Sequence, residues 1–446
     1  MLTSVPLTPK ALADYRPIVG DAAVDDIQRL AEPLRGARVL HLNATAFGGG
    51  VAEILSALVP LLNDLGLRAD WQIISGADEF FAVTKAMHNG LQGMFVPWTT
   101  AMRDTWLRYN RLNADRLDAE YDFVVIHDPQ PAGVLALSLE RGRPKVGKWI
   151  WRCHIDLTAA QPELWDFLRP FLSPYDAAVF TLKDYAKEDV PTPRVLFLPP
   201  AIDPLSPKNV PLAPATVGAI LSRYAIDPRR PLLTQVSRFD PWKDPLGVID
   251  AYRLVKQEIP QVQLVLAASM AHDDPEGWSY YERTARRAGE DEDIHILTNL
   301  TGVGNVEVNA IQTAARVVVQ KSLREGFGLV VSEALWKGRP VVAGNVGGIP
   351  LQVLHGRTGY LASSPAECAE RALYLLHNPR VADRMGAAGR EHVRANFLIT
   401  RYLRDHLQMF TALAGIEAKA GSSPPLELSR PGGGSDAAAE SRGGLV

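Results

Sequence analysis

Cysteine is nearly absent: Cys153 and Cys368 are the only two in 446 residues, and they stand far apart in the chain. Neither a disulfide framework nor a cysteine-based zinc site can be assembled from them, and a reducing cytoplasm is the natural home. Long apolar runs are missing too. No segment approaches the ~20 apolar residues that span a bilayer, and the start, MLTSVPLTPKALADYRP, lacks a positive head followed by an apolar stretch. A soluble cytoplasmic protein with no membrane partner is expected. Nor is there an excess of positive charge. Forty-seven Lys and Arg against 50 Asp and Glu leave a net charge of −3, which argues against a nucleic-acid binder of the usual basic kind. Any phosphate this chain binds must be met locally.

What is present is the material of a folded core. At 47% hydrophobic and 22% charged the composition is near the globular average, and the length suits two or three domains at roughly 100 to 200 residues each. Short apolar, β-branched runs recur between helical patterns: 37–42, 71–74, 123–127, 148–153, 177–181 and 195–198. A second series follows at 232–236, 263–268, 294–297, 317–320 and 340–343. Alternation of this kind builds parallel sheets covered by helices. Between the two series lie Pro199, Pro200, Pro204, Pro207, Pro211 and Pro214, a semi-rigid stretch unsuited to helix and typical of a domain boundary. The expectation is an α/β protein of two similar halves, joined near residue 205, with a cleft between them. From Gly421 the composition turns to Ser, Pro, Gly and Ala, too poor in apolar side chains to pack, so residues 421–446 read as a disordered tail.

Four segments carry chemistry. In the first, an apolar strand runs into Gly48-Gly49-Gly50 and then a helical pattern. Three glycines remove Cβ atoms where a ligand would approach, and the helix N-terminus offers free N–H groups and partial positive charge, so a phosphate or pyrophosphate fits. The alternative is a plain strand-to-helix turn. In the second, a strand ends in a loop carrying Arg238 and Lys243. Ligands of open α/β sheets sit outside the carboxyl ends of strands, where these two cations suit a diphosphate. A surface ion-pair loop is the competing reading.

The third segment holds Glu325 and Glu333, eight positions apart around Gly326-Phe327-Gly328. A glycosidase pair in a retaining enzyme needs its carboxyl groups about 5 to 5.5 Å apart. On one helix, an eight-residue offset would separate them by roughly 12 Å along the axis. The glycines instead suggest a loop holding Glu325 and a helix carrying Glu333, two carboxylates able to grip the hydroxyls of a sugar or ribose. The fourth places His127-Asp128 and His154 with Asp156 at the ends of two predicted strands. They suit metal binding, acid–base work or sugar-hydroxyl contacts, and the absence of nearby Glu or Cys at ligand spacing ranks metal lowest. The acidic Asp291-Glu292-Asp293 reads as a solvated turn before a strand rather than a chelating D-x-D.

Taken together, HLNATAFGGGVAEIL, GADEFFAVTKAMHNGLQG, HDPQP, WRCHIDL, QVSRFDPWKD, MAHDDPEGW, REGFGLVVSEALWKGRPVV and GNVGGIP resemble the trehalose glycosyltransferring synthases. These are retaining GT-B enzymes of glycosyltransferase family 4 that join a nucleotide-activated glucose to free glucose. The likeness runs collinearly over about residues 10 to 415. It implies two Rossmann-like, doubly wound domains facing across a cleft: an acceptor-side domain over 1–205, a nucleotide-sugar-binding domain over 206–395, and a helix over 396–420 crossing back to the first. It implies that Glu325 lies near the transferred sugar and Glu333 on the nucleotide ribose. Arg238 and Lys243 would hold the donor diphosphate, with Gly48, Gly49 and Gly50 facing it from the first domain. His154 would stand against the donor sugar and Asp128 at the acceptor, while the backbone of Gly326, Phe327, Gly328 and Leu329 would lie along the donor. Within residues 76–93, Asp78 and Glu79 are the polar candidates for the acceptor, against a plain surface helix.

The resemblance implies no tightly bound cofactor. It implies a nucleotide-sugar cosubstrate, UDP- or ADP-glucose, with Mg2+ allowed but not required and no metal site assigned. Glucose and trehalose would be the remaining small-molecule partners, with a homodimer left open. Ala267-Ala268 stand where relatives tend to carry glycine, which would narrow the nucleotide pocket and leaves the base unassigned. The rival readings are a trehalose phosphorylase using inorganic phosphate and a non-catalytic sugar-nucleotide sensor. A nicotinamide-binding oxidoreductase ranks last, because the glycine-rich fingerprint is missing.

Overall fold

The computed structural model describes residues 2–47, 49–117, 120–269 and 275–416; Gly48 and the tail expected at 421–446 lie outside them. The apolar runs of the first half form β1 (Thr3–Ser4), β2 (Arg38–Asn43), β3 (Arg68–Ile73), β4 (Phe123–His127), β5 (Lys148–Arg152), β6 (Ala177–Phe180) and β7 (Val195–Phe197). They make one sheet in the order β1-β3-β2-β4-β5-β6-β7, parallel except for the antiparallel edge strand β1. The second half contributes β8 (Leu232–Arg238), β9 (Gln263–Ser269), β10 (Ile294–Thr298), β11 (Val317–Gln320), β12 (Val341–Gly344) and β13 (Gly359–Ala362). Their order is β10-β9-β8-β11-β12-β13, all parallel.

Central strands such as FVVIH in β4 and VVVQ in β11 are buried along their whole length, as a sheet covered by helices on both faces requires. The order of each sheet reverses once. In the first the reversal lies between β2 and β4, and in the second between β8 and β11. Crevices outside the carboxyl ends of strands at such a reversal are where doubly wound sheets bind ligands. Every chemistry-bearing segment except one leaves a strand at one of these four ends, so topology gathers the segments of each half at its own crevice. The exception is His154, which follows β5.

The chain returns to the first sheet at its end. The Ile202 amide donates to the Phe397 carbonyl and the Ile399 amide donates back to Ile202. The helix Ile399–Ala414 then buries Ile399, Tyr402, Leu403, Leu407 and Phe410 in the core that holds Val39, Leu55 and Phe123. Arg401 secures this crossing by donating to the Pro199 and Pro200 carbonyls.

Phe410 is fully buried and stacks on Phe123 with ring centroids 4.5 Å apart. Deleting such a ring removes transfer energy and leaves a cavity, so Phe410→Ala should lower unfolding free energy by about 3–5 kcal/mol. Urea denaturation followed by far-UV circular dichroism measures it; a loss below about 1 kcal/mol would show that the helix adds little to this core.

Candidate active site

The loop after β8 is rigid for local reasons. Asp240 accepts from the Trp242 amide at 2.7 Å and pairs with Arg238 at 3.1 Å. Asp244, left-handed at φ 48°, caps the helix Pro245–Glu258 by accepting from Gly247, and its carboxylate also meets Lys321 from the loop after β11. Gln235 holds the Lys243 carbonyl, and the Trp242 carbonyl takes the Leu323 amide at 2.7 Å. These ties aim Lys243 at Glu325, with Nζ 2.7 Å from Oε2 and both groups mostly buried. Ser322 Oγ is 3.3 Å from the same oxygen. Arg238 is more exposed, but its charge, after burial, helps press the His88 imidazole of the first half down to about 4.

The Glu325 loop is seated on the first half. Tyr185, following β6, donates from its hydroxyl to the Gly326 carbonyl at 2.6 Å and the Glu325 carbonyl at 3.1 Å. Burial, with the charges of Asp156 and Glu325 behind it, pushes that phenol above its ordinary range, so it stays a donor. A Cβ at Gly347 would collide with the Glu325 carbonyl oxygen and the Tyr185 hydroxyl, and one on Gly326 would stand 3.4 Å from the His154 carbonyl. Gly328, at φ 81°, turns the chain into the helix Leu329–Trp336. Leu329 then reaches across to the glycine loop: a Cβ on Gly50 would lie 2.8 Å from its Cδ1. Phe327 faces inward and packs against Phe397, so its backbone, not its ring, is available to a ligand.

Glu333, fully inside that helix, is almost inaccessible, and its Oε2 has no hydrogen-bond partner among the described residues. A buried carboxylate oxygen left unpaired is expensive unless a ligand completes it. Lys208 stands 3.7 Å from its Oε1, and Lys337 lies close by, its ammonium lowered to about 8 by burial against the pull of Glu333.

A cavity of about 220 Å³ opens in the first half, lined among others by Asn43, Gly49, Gly50, His88, His127 and Asp128. Asp128 adopts φ 65° and accepts the His154 amide at 2.8 Å. Desolvation pushes its carboxyl up to about 6, against the opposing His154 amide and Arg152 charge. Behind it runs a chain of imidazoles: His154 Nε2 to His127 Nδ1, then His127 Nε2 to His41 Nδ1, each 3.0 Å. Burial holds all three well below the usual histidine range, so they are neutral.

Arg238, Lys243, Glu325, Gly326, Gly328, Leu329, Gly49, Gly50, His154 and Asp128 are thus brought to one region, and Glu333 lies one helix turn beyond. Asp78 and Glu79 do not join them. Asp78 is exposed at the start of the helix Asp78–Leu91, and Glu79 is engaged by Arg108 at 2.6 Å and the Tyr109 hydroxyl at 2.9 Å. Asp291 and Asp293 are held by Lys256. Residues missed from sequence are His88, Tyr185, Lys208 and Glu53. His88 and Glu53 lie inside motifs that carry the resemblance, whereas Tyr185 and Lys208 act across the two halves and leave no local signature.

Comparison with known proteins places this geometry. Residues 41–187 match the trehalose synthase N-terminal domain, and residues 219–392 match glycosyl transferases group 1. Trehalose synthase of Rubrobacter xylanophilus is 53% identical over 91% of this chain and 98% of its own. The chain belongs to the trehalose synthase family. The trehalose synthase of Thermococcus litoralis is 49% identical over 90% of this chain and 97% of its own. The fold is GT-B: a sucrose-phosphate synthase from Thermosynechococcus elongatus superposes with a TM-score of 0.66 at 16% identity, over 85% of this chain and 99% of that one. A trehalose-6-phosphate protein from E. coli, solved with UDP-2-fluoro glucose, superposes at 0.67 and 15% identity over 85% of this chain and 100% of that one. This family member is a glycosyltransferase of trehalose metabolism. Among its described residues no helix is long and apolar enough to cross a membrane.

The Asp128 carboxyl gives a pH test. With a folded value of about 6 against an ordinary 3.8, the folded chain keeps a proton that the unfolded chain has released between those values. Stability contributed there falls as pH rises from about 4 to 6, because the unfolded state binds fewer protons. Asparagine tolerates the left-handed backbone, so Asp128→Asn should gain stability relative to wild type across that window and hold a constant difference above it. Denaturation midpoints at several pH values read this; a difference flat from about pH 4 to 7 contradicts it.

Proposed function

We propose that the protein is a retaining transferase that forms trehalose by moving glucose from a nucleoside-diphosphate glucose to free glucose. The observation that carries this reading is the Lys243–Glu325 pair on a seam where Leu329 packs against Gly50 of the other half and the Arg238 charge acts on His88. Residues 1–205 serve as the acceptor-side domain, 206–395 bind the nucleotide sugar, and the stretch from 396 returns to the first domain. The UDP-2-fluoro glucose bound by the E. coli neighbour supports a nucleotide-sugar cosubstrate.

As the bond from glucose to the diphosphate stretches, the sugar becomes oxocarbenium-like and the leaving phosphate gains negative charge. Lys243, Arg238 and the N–H groups at Gly49 and Gly50 stand ready for that charge without reorganising, the condition under which electrostatic stabilisation is large. The acceptor hydroxyl attacks from the face the diphosphate leaves, and a phosphate oxygen takes its proton, so configuration is retained with no nucleophile from the chain. Asp128 in the cavity binds acceptor hydroxyls, and neutral His154 meets the donor sugar without adding positive charge. Glu333, with one oxygen unpaired, receives a ribose hydroxyl. Closure of the cleft excludes water and suppresses hydrolysis of the donor.

Incubation with UDP-, ADP- or GDP-glucose and glucose should release the nucleoside diphosphate together with a non-reducing disaccharide. Donor hydrolysis alone, or trehalose cleavage that requires inorganic phosphate, counts against the reading. Removing one cation from a desolvated phosphate costs about 2.7 kcal/mol or more, a hundredfold in rate. Arg238→Ala and Lys243→Ala should each lose at least that in kcat; turnover near wild type in both would remove the diphosphate assignment. Glu333→Gln should mainly raise the donor KM, and an unchanged donor KM would speak against a ribose contact.

A further inference from the structure

Lys208 has no place in the transfer reaction, yet its ammonium joins the two halves. Its Nζ lies 2.6 Å from Glu53 Oε1 and 3.7 Å from Glu333 Oε1. Glu53 belongs to the first turn of the helix Gly50–Asp64, three residues past the glycine loop. Glu333 belongs to the helix Leu329–Trp336 of the other half. Burial raises the Glu53 carboxyl, Lys208 opposes that, and the charge of Glu333 across the cleft adds to it. One cation serves both.

The connector that carries Lys208 is fixed from both sides. Asp203 accepts from Lys10 at 2.8 Å and from the Tyr15 hydroxyl at 2.9 Å, both in the first half. The carbonyls of Pro207 and Val210 accept from Asn309 of the second half at 3.0 and 2.8 Å. Asn209 beside it accepts from Lys337 at 3.1 Å. Lys208 therefore cannot follow either carboxylate freely, and its attraction is divided between them according to how much charge each presents.

We propose that Lys208 couples occupation of Glu333 by the nucleotide's ribose to the position of the glycine loop across the cleft. A ribose hydroxyl donating to Glu333 neutralises part of its charge. The share of the Lys208 ammonium released in this way strengthens its pairing with Glu53, which draws the helix Gly50–Asp64 and its N-terminal N–H groups toward the diphosphate of the same ligand. Coupling between two contacts is reciprocal, so a well-seated glycine loop also tightens the hold on ribose. Lys208 is a positioning residue in this scheme. The inference rests on the nucleotide-sugar reading proposed for the site.

The experiment is a double-mutant cycle on nucleoside diphosphate affinity, measured by titration calorimetry with UDP, ADP and GDP and with the 2′,3′-dideoxy analogue of the tightest binder. Glu53 does not reach the ribose, yet Glu53→Gln should weaken the ribonucleotide by at least about fivefold, within the range usual for coupled sites. The same substitution should leave the dideoxy analogue unchanged, and should have no further effect in a Lys208→Met background. Lys208→Arg, which keeps the charge, should retain the Glu53 effect. Equal weakening of both nucleotides, additive effects of the two substitutions, or no effect of Glu53→Gln would each overturn the coupling. The comparison of the two nucleotides in Glu53→Gln alone decides the matter should Lys208→Met not fold. Failure of wild type to bind any of the three diphosphates would fall on the parent reading; binding without coupling falls on this inference only.

Discussion

A carboxylate cannot be buried at the bottom of a cleft without a cation, and the arrangement of this molecule follows from that demand being met twice. Glu325 takes Lys243 from the loop after β8, and Glu333 takes Lys208 from the connector between the halves. Each pair joins segments that are far apart in sequence, so each also fixes where a loop must lie. Pairs of this kind add little net stability, because desolvation offsets the attraction, but removing one partner leaves an uncompensated charge. Their contribution is to location. They hold one acidic group on the loop after β11 and the other in the helix that follows it.

The sheets supply the rest of the placement. Each doubly wound sheet has one reversal of strand order, and the glycine loop, His127-Asp128, Arg238-Lys243 and Glu325 all leave strands at the two reversals. The halves then meet through contacts that need glycine. Leu329 occupies the space a side chain on Gly50 would fill, and the Tyr185 hydroxyl of the first half occupies the space beside Gly347. Tyr185 completes this seam by donating to two successive carbonyls of the Glu325 loop. A tyrosine hydroxyl is well suited to that task, since burial keeps it protonated and its ring is already committed to the first core.

Most of the sheet architecture was legible in the sequence, because strands buried on both faces must be continuously apolar. β4 and β11 have the bounds that their runs predict, and the other interior strands differ by a few residues at their ends. Two strands were not anticipated. β1 is a two-residue edge and β13 is the short run GYLA, half of it only partly buried, so neither carries the signature of a central strand. The loops that this seam gathers were marked in the sequence by glycine, arginine and glutamate at strand ends, although each also allowed a plain structural reading. Lys208 and Tyr185 were not, since each acquires its meaning from a carboxylate or carbonyl in the opposite half. Glu79 shows the converse: its polar character was visible, whereas its pairing with Arg108 and Tyr109 on the neighbouring helix was not.

The two halves also divide the electrostatic work. The first presents three neutral imidazoles in a row and a carboxyl of raised affinity for its proton, all set by burial. The second presents Arg238 and Lys243. In the proposed transfer, negative charge grows on the diphosphate and positive charge grows on the sugar ring, so a cation on the first side would oppose the reaction while one on the second side assists it. An imidazolium at position 154 would be such an opposing charge. Burial of His154 disfavours it, and the positive charge of Arg152 adds to the effect. Neutral imidazoles on the one wall, with the exposed Arg238 and the mostly buried Lys243 on the other, would in that transfer lie along the direction in which charge separates.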